Sequence, residues 1–222
     1  DNNKFFYHND INLIFYRLRI RDISSKGDQP MFSYSKKNII VFNGEIYNSE
    51  KLKKKLNITK FRGHSDTEIL INLYEKYGKN IINELEGMFS FIIYNFEKKK
   101  IVAARDRFGI KPLYYYKNNE YILFSSEIKP IIKYTKEKKF NDLAFANFFL
   151  KQQLDNDNLT FFKDIKALPP SNLIDFIPGQ EMKIKKYWDL TTDNIQTKDS
   201  VTIFQNLFDS SIKKHLISDC EV

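Results

Sequence analysis

Val41-Phe-Asn-Gly-Glu-Ile-Tyr-Asn48, followed by Gly63-His-Ser-Asp-Thr-Glu68, decides how this chain reads. A hydrophobic run, Asn38 to Phe42, ends in Asn-Gly. Then a helix opens on an acid: Ser65 can cap it, and Glu68 three residues on completes a capping box. Ile69, Leu70, Leu73, Tyr74 and Tyr77 recur at helical spacing, with Gly78 as the stop. A strand end beside a capped helix N-terminus can bind a small polar amide. Asn-Gly is also a common turn pair, so this stretch alone leaves a plain turn open.

Working outward, short strands are set between helices. Asn12 to Ile20 is apolar and then alternates with arginines. Met88 to Tyr94 and Lys100 to Ala104 flank a polar turn and read as a hairpin. Leu113 to Tyr116 and Tyr121 to Ser125 make a second one. Glu50 to Leu56 is a short helix with Leu52 and Leu56 inward, and Ile81 to Leu85 is another. Asp142 to Leu150 is helical, and Leu173 to Ile177 is a strand between Pro-marked turns. Periodicity supports an α+β fold rather than a parallel doubly wound sheet. Thr191 to Asp199 is polar and reads as a linker. Ser200 to Leu216 carries Ile203, Leu207, Phe208, Ile212 and Leu216 at helical spacing, as the opening of a second domain.

Composition narrows the function classes. The 222 residues suit one domain, or one domain and part of another. No apolar run is long enough for a membrane span. One cysteine, Cys220, excludes an internal disulfide framework and fits a reducing, cytoplasmic setting. The net charge of +8 comes from scattered lysines such as Lys51 to Lys55 and Lys183 to Lys186. No exposed aromatics interleave with them, so solvated turns are favoured over nucleic-acid or membrane binding. The three histidines, His8, His64 and His215, form no cluster with metal-ligand spacing, and His64 reads as a solvated loop residue.

The ordered segments Tyr16-Arg-Leu-Arg-Ile-Arg-Asp22, Gly27-Asp-Gln-Pro-Met31, Asn43 to Asn48, Ser65 to Glu68, Leu85-Glu-Gly-Met-Phe89, Ala104 to Tyr115, Phe124 to Lys129 and Phe162 to Pro170 resemble the glutamine-dependent asparagine synthetases. The likeness is to their N-terminal class II glutaminase domain and covers nearly the whole chain. Two departures are Tyr16-Arg17, where the family often has His-Arg, and Pro169-Pro170-Ser171, where it has Pro-Pro-Gly.

The resemblance implies a four-layer αββα sandwich of the N-terminal-nucleophile hydrolases over 1–190. The linker and first helix of a truncated α/β synthetase domain would follow over 191–222. It implies that Asp1 falls where the family's Arg-Gly-Pro-Asp motif ends, with the cysteine nucleophile upstream and absent here, and that Leu216 to Val222 leads to an ATP-binding loop not in this chain. Cys220 cannot replace the nucleophile. The implied substrate is glutamine. Asn43 and Gly44 are the expected oxyanion donors, since an Asn side chain and a Gly N–H can converge on one oxygen.

Arg17 is expected to hold the substrate carboxylate and Asp66 its α-ammonium group, which together would select a free amino acid over a mere amide. Alternation sets Arg17, Arg19 and Arg21 on one strand face, so only the family match singles out Arg17. Leu18, Ile20 and Glu45 are expected to line the pocket, partly through backbone groups. Arg105, Asp106, Arg107 and Lys111 form a charged turn expected to pair structurally. ATP, Mg2+ and aspartate are expected in the full-length protein, with no cofactor or metal in this chain; a homodimer stays open. Two other readings stay open: an amidotransferase with a different acceptor, and a catalytically silent glutaminase-like module.

Overall fold

The structure is a computed structural model that describes residues 2–56, 58, 60–136, 139–153, 158–192 and 199–219. In chain order its strands are β1 (Asn2–His8), β2 (Ile11–Arg17), β3 (Met31–Phe32), β4 (Asn38–Ile46), β5 (Gly87–Asn95), β6 (Lys100–Arg105), β7 (Tyr114–Lys117), β8 (Ile122–Ser125), β9 (Ile165–Ala167), β10 (Asn172–Phe176) and β11 (Lys183–Lys186). Its helices are α1 (Ser49–Lys53), α2 (Asp66–Tyr77), α3 (Ile128–Thr135), α4 (Asp142–Lys151) and α5 (Ser200–His215). They fall into two compact units, one from 1–41, 45–87 and 189–222 and one from 42–44 and 88–188. The division expected at 190/191 is a different one: α5 groups with the first unit. The linker expected at 191–199 lies mostly outside the described residues, as does Cys220.

In the first unit, β1 and β2 form an antiparallel hairpin with Phe6 opposite Leu13 and Phe5 opposite Ile14. β2 stops at Arg17, so Arg19 and Arg21 lie in the following loop and the three arginines do not share a strand face. β3 pairs with β4, Met31 facing Ile40. Helix α2 is the centre of this unit. Its residues from Asp66 to Leu73 are all buried, more than one amphipathic stripe would hide. Ile39, Ile40, Leu52, Ile81 and Ile82 are buried in the same unit. Ser65 caps α2 as expected, its side chain accepting from the Thr67 N–H, and Gly78 ends it at φ +65°. The second half of the capping box is not made. Glu68 instead accepts from Arg62 N at 2.9 Å and Gly63 N at 3.0 Å, tying down the loop before the helix.

In the second unit, β5 and β6 form the expected hairpin, Phe91 opposite Ala104 and Ile93 opposite Val102. β10 lies along β6 and β11 along β10. On its other side β5 is bonded to β4, which gives residues 42–44 to this unit. Ser90, Phe91, Val102 and Ala103 are buried consecutively, as in strands covered on both faces. A separate sheet has the order β8-β7-β9. Strands β1, β3, β9 and β11 and helix α3 were not expected. Pro130 stands in the first turn of α3, where the missing N–H needs no partner. Lys183 to Lys186, expected as a turn cluster, is the exposed outer strand β11, where lysines discourage pairing with another sheet.

Candidate functional site

Asp66 opens α2 with only 5% of its surface exposed. Its Oδ2 accepts from the Ile46 N–H at 2.9 Å and its Oδ1 from the Thr67 N–H at 2.8 Å. Burial raises its pKa above the ordinary carboxylate value and outweighs those hydrogen bonds and the charge of Arg21. Arg21 Nη1 stands 4.0 Å from Asp66 and 3.8 Å from Glu45, itself buried, and donates to Ile46 O at 3.2 Å. Its other nitrogen holds Ser49 Oγ at 2.9 Å. One guanidinium therefore serves two buried carboxylates without a bidentate grip on either. Such a site can take a further cation such as an ammonium group.

Arg17 is buried, and its donors hold the loop that follows β2. Nη1 donates to Ser24 O and Asp28 Oδ1, both at 2.7 Å, and Nη2 to Arg21 O at 3.1 Å and to Asp22 O. Lys4, at 3.0 Å, also pairs with Asp28. Burial works to raise the Asp28 pKa, but Arg17 and Lys4 bring it below the ordinary value. Asp22 is the keystone of this loop. It is fully buried at φ +51°. Its carboxylate accepts from Ser24 Oγ at 2.6 Å and from the His64 N–H at 2.9 Å. A Cβ on Gly63 would fall 2.2 Å from Asp22 Oδ2, so a side chain there would push the Asp22 carboxylate from its place. Leu18 and Ile20 expose their side chains, at 72% and 45%. What Ile20 offers inward is backbone: its carbonyl accepts from the Asp219 N–H at 3.0 Å.

The second unit carries Asn43 and Gly44. Asn43 Nδ2 donates to Ser126 Oγ at 3.3 Å. Gly44 has φ +140°, and a Cβ there would lie 2.1 Å from the Met88 carbonyl, so glycine is obligatory. The charged turn of this unit is structural, as expected, but its partners are backbone groups. Asp106 is fully buried and accepts four N–H groups, from Phe108, Ile110, Phe89 and Lys111. Arg105 donates to the carbonyls of Lys111, Leu168 and Gly109 at 2.7–2.9 Å.

Sequence reasoning passed over Asp22, Arg21 and Asp219. Asp22 and Arg21 stand inside the quoted Tyr16–Asp22 stretch, but a positive φ and a contact to residue 64 leave no local mark. His64, expected as a solvated loop residue, places its ring on Asp219 at 2.8 Å. Two surface hollows, of about 400 and 540 Å³, lie along α5 at Asp209 and Lys213 and beside α1 at Lys53 and Phe61. Neither holds any of the expected ligand-binding residues. Among the described residues no group of histidine, cysteine and acidic side chains could hold a metal ion. No helix among them is long and apolar enough to cross a membrane.

A glutamine amidotransferase domain family matches residues 1–188. Glutamine-hydrolyzing asparagine synthetase 2 of Bacillus subtilis (strain 168) is 31% identical over 232 residues, which cover 97% of this chain and 31% of that protein. Amidase chry2 of Gibberella zeae is 34% identical over 184 residues, 82% of this chain and 27% of that protein. The chain thus spans about a third of the length of the curated relatives it matches. Among solved structures, glutamine phosphoribosylpyrophosphate amidotransferase from B. subtilis, complexed with ADP and GMP, superposes with a TM-score of 0.51 at 18% identity. The match covers 74% of this chain and 33% of that one. That likeness carries the fold alone, and it is the α+β sandwich of the N-terminal-nucleophile hydrolases expected from the sequence.

Proposed function

The chain belongs to the glutamine amidotransferase domain family, and on that premise we propose that it is the glutamine-binding part of a glutamine-hydrolysing asparagine synthetase. The observation that carries the reading is Asp66, a buried carboxylate with a raised pKa at the start of α2, beside Glu45 and Arg21. Glu45 follows the Asn43-Gly44 pair directly in the chain.

In this proposal a cysteine thiol upstream of Asp1 attacks the amide carbon of glutamine, with the chain's α-amino group as base. The amide oxygen becomes an oxyanion and is met by Asn43 Nδ2 and the Gly44 N–H. Collapse expels ammonia, and water then frees glutamate from the thioester. Asp66 takes the α-ammonium group. Arg17 takes the α-carboxylate by exchanging one of the carbonyls it now holds. Leu18, Ile20 and Glu45 frame the ligand, Ile20 through its backbone. Ammonia passes to sequence beyond this chain, where Mg-ATP activates aspartate as an adenylate. A reducing, cytoplasmic setting suits the thiol.

The test is glutamine hydrolysis by the intact protein, then asparagine formation with aspartate and Mg-ATP, read by mass spectrometry. Activity that survives Asn43→Ala and Asp66→Asn unchanged would sink the site assignment. Similarity to the amidase favours one alternative, the same glutaminase with a different acceptor. Glutamate release without asparagine would select it. A mature N-terminus that lacks cysteine would select the silent module instead.

A further inference from the structure

We propose that Asp219, in the segment after α5, is a positioning residue for the amino-acid site, acting through the β2 and α2 loops. The proposal rests on the glutaminase reading above. Three bonds converge on this residue. Its carboxylate accepts from the Asp22 N–H at 2.6 Å and pairs with His64 Nε2 at 2.8 Å, and its own N–H donates to the Ile20 carbonyl at 3.0 Å. The Asp22 N–H, then His64, hold its pKa below the ordinary carboxylate value.

These partners flank the residues assigned to the ligand. Ile20 is itself one of them, Asp22 takes an Arg17 donor on its carbonyl, and His64 precedes Asp66 by two residues. Asp22 then joins the loops a second time, accepting from the His64 N–H at 2.9 Å. The end of α5 reaches the same neighbourhood at another point. Lys214 pairs with Glu86 at 2.9 Å, and the His215 ring lies 4.8 Å from that of Tyr47, two residues after Glu45. Glu86 in turn accepts the Tyr47 N–H at 2.8 Å.

The end of α5 and the segment after it therefore grip the loop before α2, the loop after β2 and the end of the Asn43–Asn48 stretch together. A shift of α5 moves Ile20 and Asp66 as one. Asp219 and His64 are both substantially exposed, so their pairing adds little to overall stability. Its effect falls on how the loops are placed.

The experiment is steady-state glutamine hydrolysis by the intact protein, with hydrogen exchange read at the Asp22 amide. Asp219→Ala is expected to raise the KM for glutamine about five- to tenfold, with kcat changed less than about twofold and exchange at Asp22 accelerated. Asp219→Asn keeps an acceptor for the Asp22 N–H and is expected to restore most of the affinity. His64→Gln is expected to fall between them. If wild type is active and Asp219→Ala keeps its KM, the positioning role is overturned and the glutaminase reading stands. If Asp219→Ala raises KM but Asn rescues nothing, the role is likewise overturned, because no specific acceptor was needed. If the wild type hydrolyses no glutamine, both fall.

Discussion

Two loops of this chain use the same pair of residue types to opposite ends. In the second unit, Arg105 and Asp106 spend their polar atoms on backbone groups, three carbonyls and four N–H groups, and the turn is closed. In the first unit, Arg17 and Asp22 also bind backbone, the His64 N–H included, but the loop relies as well on two side chains, Asp28 and Asp219. Backbone partners are covalently fixed, whereas side-chain partners can turn away or be exchanged for a ligand's charges. The same Arg–Asp chemistry closes on fixed backbone in one loop and leaves partners that can be exchanged in the other.

The largest test of this contrast is Asp106→Ala. Four N–H groups, one buried and three part-buried, lose their acceptor, so a loss of about 4 kcal/mol is expected in urea unfolding of the intact protein. Asp22→Ala should cost less, about 2–3 kcal/mol. Equal losses would erase the distinction. Next comes Asn43→Ala. Its side chain makes a long 3.3 Å contact to Ser126, so stability should hardly change. Loss of an oxyanion donor should lower kcat for glutamine hydrolysis by about 3 kcal/mol, more than a hundredfold.

Arg17→Lys should cost about 2 kcal/mol in stability, since one ammonium cannot reach the four acceptors that the guanidinium holds. Arg21→Lys should leave stability closer to wild type and raise KM. If the two variants behave alike, the loop arginines are interchangeable and the assignment fails.

The smallest effect expected is from Asp66→Asn, about tenfold in the KM for glutamine, or about 1.4 kcal/mol. Its pH signature has a definite sign. A carboxyl group whose pKa is raised on folding favours the native state below the ordinary pKa, and that contribution is lost as pH rises through the raised value. The thermal stability of Asp66→Asn relative to wild type should therefore increase from about pH 4 upward. A flat difference across that range would mean that Asp66 is not desolvated.

The Ser65 cap, the Gly78 stop and the two hairpins were legible because each is a local signal, acting over a few residues. The capping box was half right: the Ser65 side chain took the near N–H, and Glu68 went to the Arg62–Gly63 loop, which local pattern does not record. Arg17 was singled out among three arginines by the family likeness alone, and its burial and its four acceptors came from the loop folding back on β2. Asp219 lay in plain sight in the last quoted stretch. Its partners are 155 and 197 residues away in the chain, at His64 and Asp22.

By itself the order of residues determined most of the elements, the family and the placing of an acid at the head of α2. These follow from capping, periodicity and an ordered set of short segments, each of which acts through near neighbours. The tertiary structure alone decided that Arg17 and Asp22 hold a loop, that Arg21 serves both Glu45 and Asp66, and that the segment after α5 closes on Ile20. A guanidinium has five donors and no preference among distant acceptors. Which ones it meets is settled only when the chain folds and burial makes every unmet bond costly.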